Sequence, residues 1–255
     1  MSRSDENLCA RARARGNYPR YEVALLLALL TPACGDVQVD ATARAAENAG
    51  GAAPLNQFTE TFDLLDANLW SCEYDCPTVS GGAAHFSLLP GIQPENQGSW
   101  SKIDYKPQHF TEGSFSVSFA LGPRPAQSVF WGVALWDPGP NPDESQYNEI
   151  NFGYTTDGAN TNTQLELLSA RLGQKLTHEL DAGVDLYDGA FHIGKLTFDS
   201  AHVALDIDGK RLDTITDPRF IPTAPLTLIL GTRLVTAPVL TSRFDQVIDS
   251  CGIEW

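Results

Sequence analysis

Over residues 57–255 the apolar residues alternate with polar ones or run in short blocks, and Gly, Pro, Asn and Asp interrupt them at short intervals. No stretch keeps a long 3.6-residue period, so the core has to be built from strands. In SFSVSF, Phe115, Val117 and Phe119 share one face and Ser114, Ser116 and Ser118 the other, and VALDID (203–208) alternates likewise. HFSLL, SVFWGVALW, NEINFGY, TQLELLSARL, FHIGKLTF, PLTLIL and SRFDQVI add further strands, and Asp208-Gly209 between VALDI and RLDTI marks a tight hairpin. The expected fold is all-β: a sandwich of two antiparallel sheets.

Ahead of this domain, Arg11, Arg13, Arg15 and Arg20 precede the apolar run VALLLALL, Val23 to Leu30, and then Thr31-Pro32-Ala33-Cys34-Gly35. Eight apolar residues fall short of the roughly 20 that span a bilayer as a helix, so residues 1–34 read as a secretion leader. Cys34 after a small residue resembles a bacterial lipoprotein cleavage site, the alternative being ordinary signal cleavage nearby. Residues 35–56, rich in Ala and Gly, read as a flexible linker, and 57–255 as one β-sandwich domain expected to be monomeric. The exported chain would sit at a bacterial-type cell surface, facing the periplasm or secreted.

Net charge is −15, and it becomes −17 once the leader takes away five arginines and three acids. Such acidity repels phosphate backbones and anionic membranes. It argues against nucleic acid and against strongly sulfated or uronic polymers, and leaves a lipid anchor as the only tie to a membrane. Of the cysteines in the domain, Cys251 in the last strand is expected to pair with Cys72 or Cys76 near the first; no His pair accompanies them, so no zinc site is expected.

YNEINFGY, Tyr147 to Tyr154, holds the densest candidate chemistry. On a strand, Glu149 and Asn151 face one way while Ile150 and Phe152 face a core. WDPGPNPDESQ (136–146) before it is a stiff loop suited to walling a groove.

The collinear set FTETFDLLDANLW, YKPQHFTEGSFSVSFAL, SVFWGVALW, FHIGKLTF with VALDIDGK, and SRFDQVI resembles the family 16 glycoside hydrolases of the concanavalin A-like lectin and glucanase superfamily. The resemblance runs from about Phe58 to Trp255 and implies a β-jelly-roll. The family signature is Glu, any residue, Asp, one or two residues, Glu. Glu149 matches its nucleophile and Asn151 stands in the helper position. The acid/base position holds Gly153 in the regular spacing or Tyr154 in the bulged one. Neither is a carboxylic acid, whereas retaining hydrolysis needs a nucleophile and an acid. Asp143 and Glu144 are the candidate replacement acids.

The resemblance also implies a concave groove in which Trp131, with Trp136, Trp100, Tyr105, Tyr154 and His192, would contact sugar. Some members hold calcium on the convex side, which makes Glu60 and Asp245 candidate ligands of a structural ion; no cofactor is required for activity. Three functions compete: binding of a neutral polysaccharide of β-glucan or galactan type with hydrolysis lost or impaired; an active retaining endo-β-glycosidase with Glu149 as nucleophile and a relocated acid; and a surface or adhesion domain that keeps only the fold.

Overall fold

The computed structural model describes residues 56–94, 97–155, 161–235 and 238–255; the leader, Cys34 and the linker as far as residue 55 lie outside them. Fifteen strands follow in chain order among these residues: β1 (Gln57–Glu60), β2 (Trp70–Tyr74), β3 (Thr78–Ser80), β4 (Ala83–Leu88), β5 (Trp100–Tyr105), β6 (Gly113–Leu121), β7 (Val129–Asp137), β8 (Asn148–Tyr154), β9 (Gln164–Arg171), β10 (Gln174–Asp181), β11 (His192–Phe198), β12 (Val203–Ile207), β13 (Lys210–Ile215), β14 (Thr227–Leu234) and β15 (Phe244–Glu254). One sheet runs β13-β12-β11-β6-β15-β4-β3, and β1 joins it along the second half of β15. The other runs β10-β9-β8-β7-β14-β5-β2. All strand ladders are antiparallel, so the fold is the two-sheet sandwich that the alternation predicts.

The core lies between the sheets. From the first sheet β6 turns Phe115, Val117 and Phe119 inward and its serines outward. The second sheet meets them with Val129, Trp131, Val133 and Leu135 of β7 and with Ile150 and Phe152 of β8, all buried. The hairpin at Asp208-Gly209 is present, both residues having positive φ, 50° and 76°. β10, QKLTHELD, carries no strong apolar signal because it is an edge strand and keeps Lys175, Glu179 and Asp181 in water.

One irregularity decides what the second sheet presents to solvent. Phe130 pairs with Tyr154 and Val133 with Phe152, so Trp131 and Gly132 together face the single residue Gly153. This is a β-bulge. A Cβ on Gly132 would lie 1.9 Å from the carbonyl oxygen of Phe152; Gly153 has φ +102° and its Cβ would lie 2.7 Å from the Gly132 Cα. Glycine is the residue that fits at both places.

Polar groups close around the distortion. Gln246, on β15 of the opposite sheet, donates its side-chain amide to the Trp131 carbonyl, and Thr232 Oγ1 donates to the Phe130 carbonyl at 2.8 Å. The indole Nε1 of Trp131 donates to Tyr187 Oη at 2.9 Å, and that hydroxyl also pairs with Thr155 Oγ1 at 2.6 Å. The Trp131 and Phe130 carbonyls thereby find partners, while Gln246 Oε1 and Asn151 Oδ1 stay buried without one.

The cysteines differ from expectation. Cys72 and Cys76 bond to each other across a turn in which Tyr74 has positive φ, their Cα atoms 5.5 Å apart. Cys251 is free and 1% exposed. It faces the core from the middle of its sheet, whereas Cys72 lies on an edge strand of the other sheet, so the expected bridge from Cys251 does not form. Burial pushes its thiol up to about 12.

Gly153→Ala is expected to destabilise the protein by roughly 2–4 kcal/mol, combining backbone strain at positive φ with overpacking. Urea unfolding measures it, and a loss within about 0.5 kcal/mol, the range of neutral surface changes, would show that the bulge can relax around a side chain.

Candidate functional site

The bulge re-phases the end of β8. Glu149 and Asn151 face outward at the normal period of two, Gly153 is absorbed by the slip, and Tyr154 takes the next outward position. The three outward side chains thus stand at the bulged spacing, with a phenol last.

They belong to a cleft of about 470 Å³ on the outer face of the second sheet. Its floor is set by register: Trp100 pairs with Arg233, Arg233 with Phe130, and Phe130 with Tyr154, forming one continuous row across four strands. Further along, Trp136 pairs with Glu149. Aromatic rings stack at both ends, Trp136 on Tyr147 with centroids 5.1 Å apart and Trp100 on Tyr74 at 6.4 Å. Phe130 and Tyr154 pack between them at 5.2 Å. The loop after β7 does wall the groove, since Glu144 and Tyr147 both line it.

Glu149 is half-buried. Asn151 Nδ2 donates to its Oε1 at 2.5 Å. Burial raises the carboxyl to about 7, against the opposing pull of the Asn151 hydrogen bond and of Arg233 and with a further push from the Glu166 charge. Tyr154 is driven well above the ordinary phenol value, by burial first and by the Glu149 charge second. A carboxyl that is half protonated at neutral pH sits beside a phenol that holds its proton tightly.

Several candidates are brought together here and several are not. Glu149, Glu144, Tyr154, Trp136 and Trp100 line one cleft, and Asn151 lies beside Glu149 under its floor. Asp143 does not line it: its carboxylate accepts from Ser145 in a surface turn, and those bonds hold it below the usual range, which makes it a poor proton donor. Trp131 is 0% exposed and packs on Phe119, Phe152 and Tyr187, so it belongs to the core and touches no ligand. Tyr105 is buried among Trp70, Phe58 and Phe110. His192 sits on β11 of the other sheet with Nδ1 on Asp208 at 2.8 Å and its ring against Phe119. In each case the inward phase of the strand overrides the appeal of the residue type.

Glu60 and Asp245 do not converge on an ion. Glu60 accepts from the backbone of Thr61 and Phe62 and from Trp70 Nε1, while Asp245 pairs with Arg243 and Ser87. They lie against positions of β15 that are six residues apart, roughly 20 Å at strand rise. Among the described residues no group of three or more His, Cys, Asp or Glu is arranged to hold a metal.

Sequence reasoning missed Tyr74, Tyr147, Phe130, Lys102 and Arg233, all on the cleft. Arg233 carried a signal: in TLILGTRL it follows Ile229 and Gly231 at a period of two, on the face opposite the buried Leu228 and Leu230.

No protein-family model matches the sequence, and no curated protein does. Solved structures match strongly. A prokaryotic β-1,3-1,4-glucanase (lichenase) derived from a mouse hindgut metagenome superposes with a TM-score of 0.60 at 16% identity, over 77% of this chain and 98% of that one. The catalytic domain of an endo-1,3-β-glucanase (laminarinase) from Thermotoga petrophila gives 0.60 at 13%, over 79% and 98%. A glycoside hydrolase family 16 endo-glucanase from Bacteroides ovatus gives 0.60 at 12%, over 77% and 99%. The fold is that of the family 16 glycoside hydrolases. By the sequence resemblance, Tyr154 falls where the bulged signature of that family has its second glutamate.

Because the folded-state value of Glu149 lies above its ordinary 4.5, the native state binds the proton more tightly than the unfolded chain, and stability falls as pH rises from about 4.5 to about 7. Glu149→Gln is therefore expected to match wild type below that window and to unfold at a higher temperature above it. Thermal midpoints from pH 4 to pH 8 measure this, and parallel curves for the two proteins would refute the raised carboxyl.

Proposed function

We propose that this chain binds a largely neutral polysaccharide of β-glucan or galactan type along the cleft, and that hydrolysis has been lost. The single observation that carries the reading is Tyr154 in the acid position. Retaining hydrolysis uses a nucleophilic carboxylate with a carboxylic acid held roughly 5–5.5 Å away, and the outward position that follows Asn151 across the bulge carries a phenol of raised pKa instead. Loss of general-acid help removes about 10²–10⁴-fold of rate.

What remains suits binding. Sugar rings present apolar C–H faces, and the stacked pairs Trp136–Tyr147 and Trp100–Tyr74 offer flat platforms at the two ends of the cleft. The glucan-acting proteins of the same fold support a carbohydrate ligand. Export through the leader, with Cys34 lipidated or lost, forms part of the same reading, since a polysaccharide of this kind is met outside the cell.

Glu144 favours a second reading. It lines the same cleft as Glu149, on the loop after β7, so a relocated acid has a physical candidate. It is exposed and held by a loop rather than a strand, which fixes a proton donor poorly.

Incubation of the full chain with β-glucans and galactans, scored for pull-down and for released reducing ends, separates these readings. Retention without release supports binding; release that disappears in Glu149→Gln or Glu144→Gln supports the enzyme; neither retention nor release leaves only the fold. Trp136→Ala is expected to weaken binding about thirtyfold, the ~2 kcal/mol of a truncated aromatic anchor. Trp131→Ala should instead cost about 3–5 kcal/mol of stability, since that indole is core.

Tyr154→Glu gives the sharpest test. It returns a carboxyl to the outward bulged position and is expected to raise release of reducing ends by about 10²–10⁴-fold over wild type, provided Glu149 is intact. An inert Tyr154→Glu protein that still folds and binds would show that more than the acid is missing.

A further inference from the structure

Two cations reach the cleft, and the chain handles them differently. Lys102 Nζ lies 3.3 Å from Glu73 and 3.1 Å from Asp104, so its charge is answered twice. The Arg233 side chain makes no ion pair within 4 Å and no hydrogen bond among the described residues, and the Glu149 carboxyl feels its charge only at longer range. Its guanidinium lies 4.5 Å over the Trp100 ring, and its Nε is buried with no partner. This happens in a chain with 32 acidic and 17 basic residues, where a counterion is easy to supply. A partly desolvated charge with no hydrogen-bonded counterion is costly, and the cost is recovered when an anion binds it directly.

The surroundings say what kind of anion. A guanidinium is a planar fork that matches a carboxylate in two parallel hydrogen bonds, and stacking on an indole holds that plane before any ligand binds. Trp100, Tyr74 and Phe130 beside it form an apolar platform for the ring of a sugar. Elsewhere the cleft is lined by Glu73, Glu144 and Glu149, and the protein as a whole is at −15, so a densely charged polymer is repelled.

We propose that Arg233 builds a cationic subsite at the Trp100 end of the cleft, which takes the carboxylate of a uronic acid unit within an otherwise neutral polysaccharide. The proposal rests on the cleft being a polysaccharide site. It narrows the ligand class from neutral polymers to sparsely acidic ones.

The test compares the full-length protein with Arg233→Gln and Arg233→Lys. The probes are a soluble β-1,3-glucan, the same glucan with a small fraction of its primary hydroxyls oxidised to carboxylates, and the same glucan sulfated to the same extent. Affinity is measured for each, with near-ultraviolet circular dichroism confirming the fold. Wild type is expected to prefer the carboxylated over the neutral polymer by about tenfold, as one charge-assisted pair provides. That ratio should shrink with added salt and fall to about one in Arg233→Gln. Arg233→Lys should keep part of it, because the charge stays while the fork is lost, and it serves as the test alone if Arg233→Gln does not fold.

Equal affinity of wild type for neutral and carboxylated glucan would overturn the subsite, as would a preference that survives Arg233→Gln. Tighter binding of the sulfated polymer would overturn the assignment to carboxylate. Wild-type binding of the neutral polymer without any preference sinks the subsite alone, whereas no binding of any probe removes the polysaccharide reading as well.

Discussion

The slip between β7 and β8 governs what this protein presents to its surroundings. A strand turns alternate side chains to opposite faces, so the positions after Asn151 would ordinarily alternate without interruption. Two residues of β7 facing one residue of β8 spend a position of that alternation inside the bulge. Tyr154 is thereby delivered to the cleft. The slip in turn depends on a buried frame that reaches into both sheets, with Gln246 answering the Trp131 carbonyl from the far side of the core and Tyr187 holding the indole. The chemistry of the outer face and the packing of the core are therefore one problem in this fold.

The cleft shows how environment reassigns a side chain. Glu149 would be a competent anion in water, yet burial favours its neutral form, and the neighbour that hydrogen-bonds it is an amide without charge. Arg233 pulls in the opposite direction without an ion pair to fix it. The Tyr154 phenol adds a group that stays protonated across the whole range in which Glu149 titrates. Neither Arg233 nor Tyr154 can take the part of a second carboxylic acid beside Glu149.

The fold was legible because the alternation in SFSVSF and VALDID reports which face is buried, and the burial of Phe115, Val117, Phe119, Val203 and Leu205 bears it out. The order of the segments suggested the jelly-roll, and the structures that share this fold agree. The site was legible in part. Glu149, Tyr154, Trp136 and Trp100 reach the cleft, and sequence left Gly153 and Tyr154 as alternatives because a bulge is settled by the partner strand, which local spacing does not show. Trp131 failed because the family resemblance set it in the groove, whereas its phase on β7 with Val129 and Val133 turns it into the core. Tyr74 was invisible because its place depends on β2 lying beside β5, a pairing of distant segments; the outward phase of Arg233 on β14 could be read, but not that it stands beside Trp100, which the pairing of β14 with β5 decides. The disulfide was misplaced because the turn at Tyr74, which folds Cys76 back on Cys72, is a backbone feature that cysteine spacing alone leaves open.

The bond from Gln246 to Trp131 joins the two sheets through the middle of the core, directly behind the cleft floor. A change at Gln246, on the far sheet, is therefore felt at the cleft through the backbone of β7, since its amide ends on the carbonyl of the residue next to Phe130. In a polysaccharide-binding protein of the kind proposed above, chains whose own linkage geometry already follows the groove lose less torsional freedom on binding than chains that have to be deformed first.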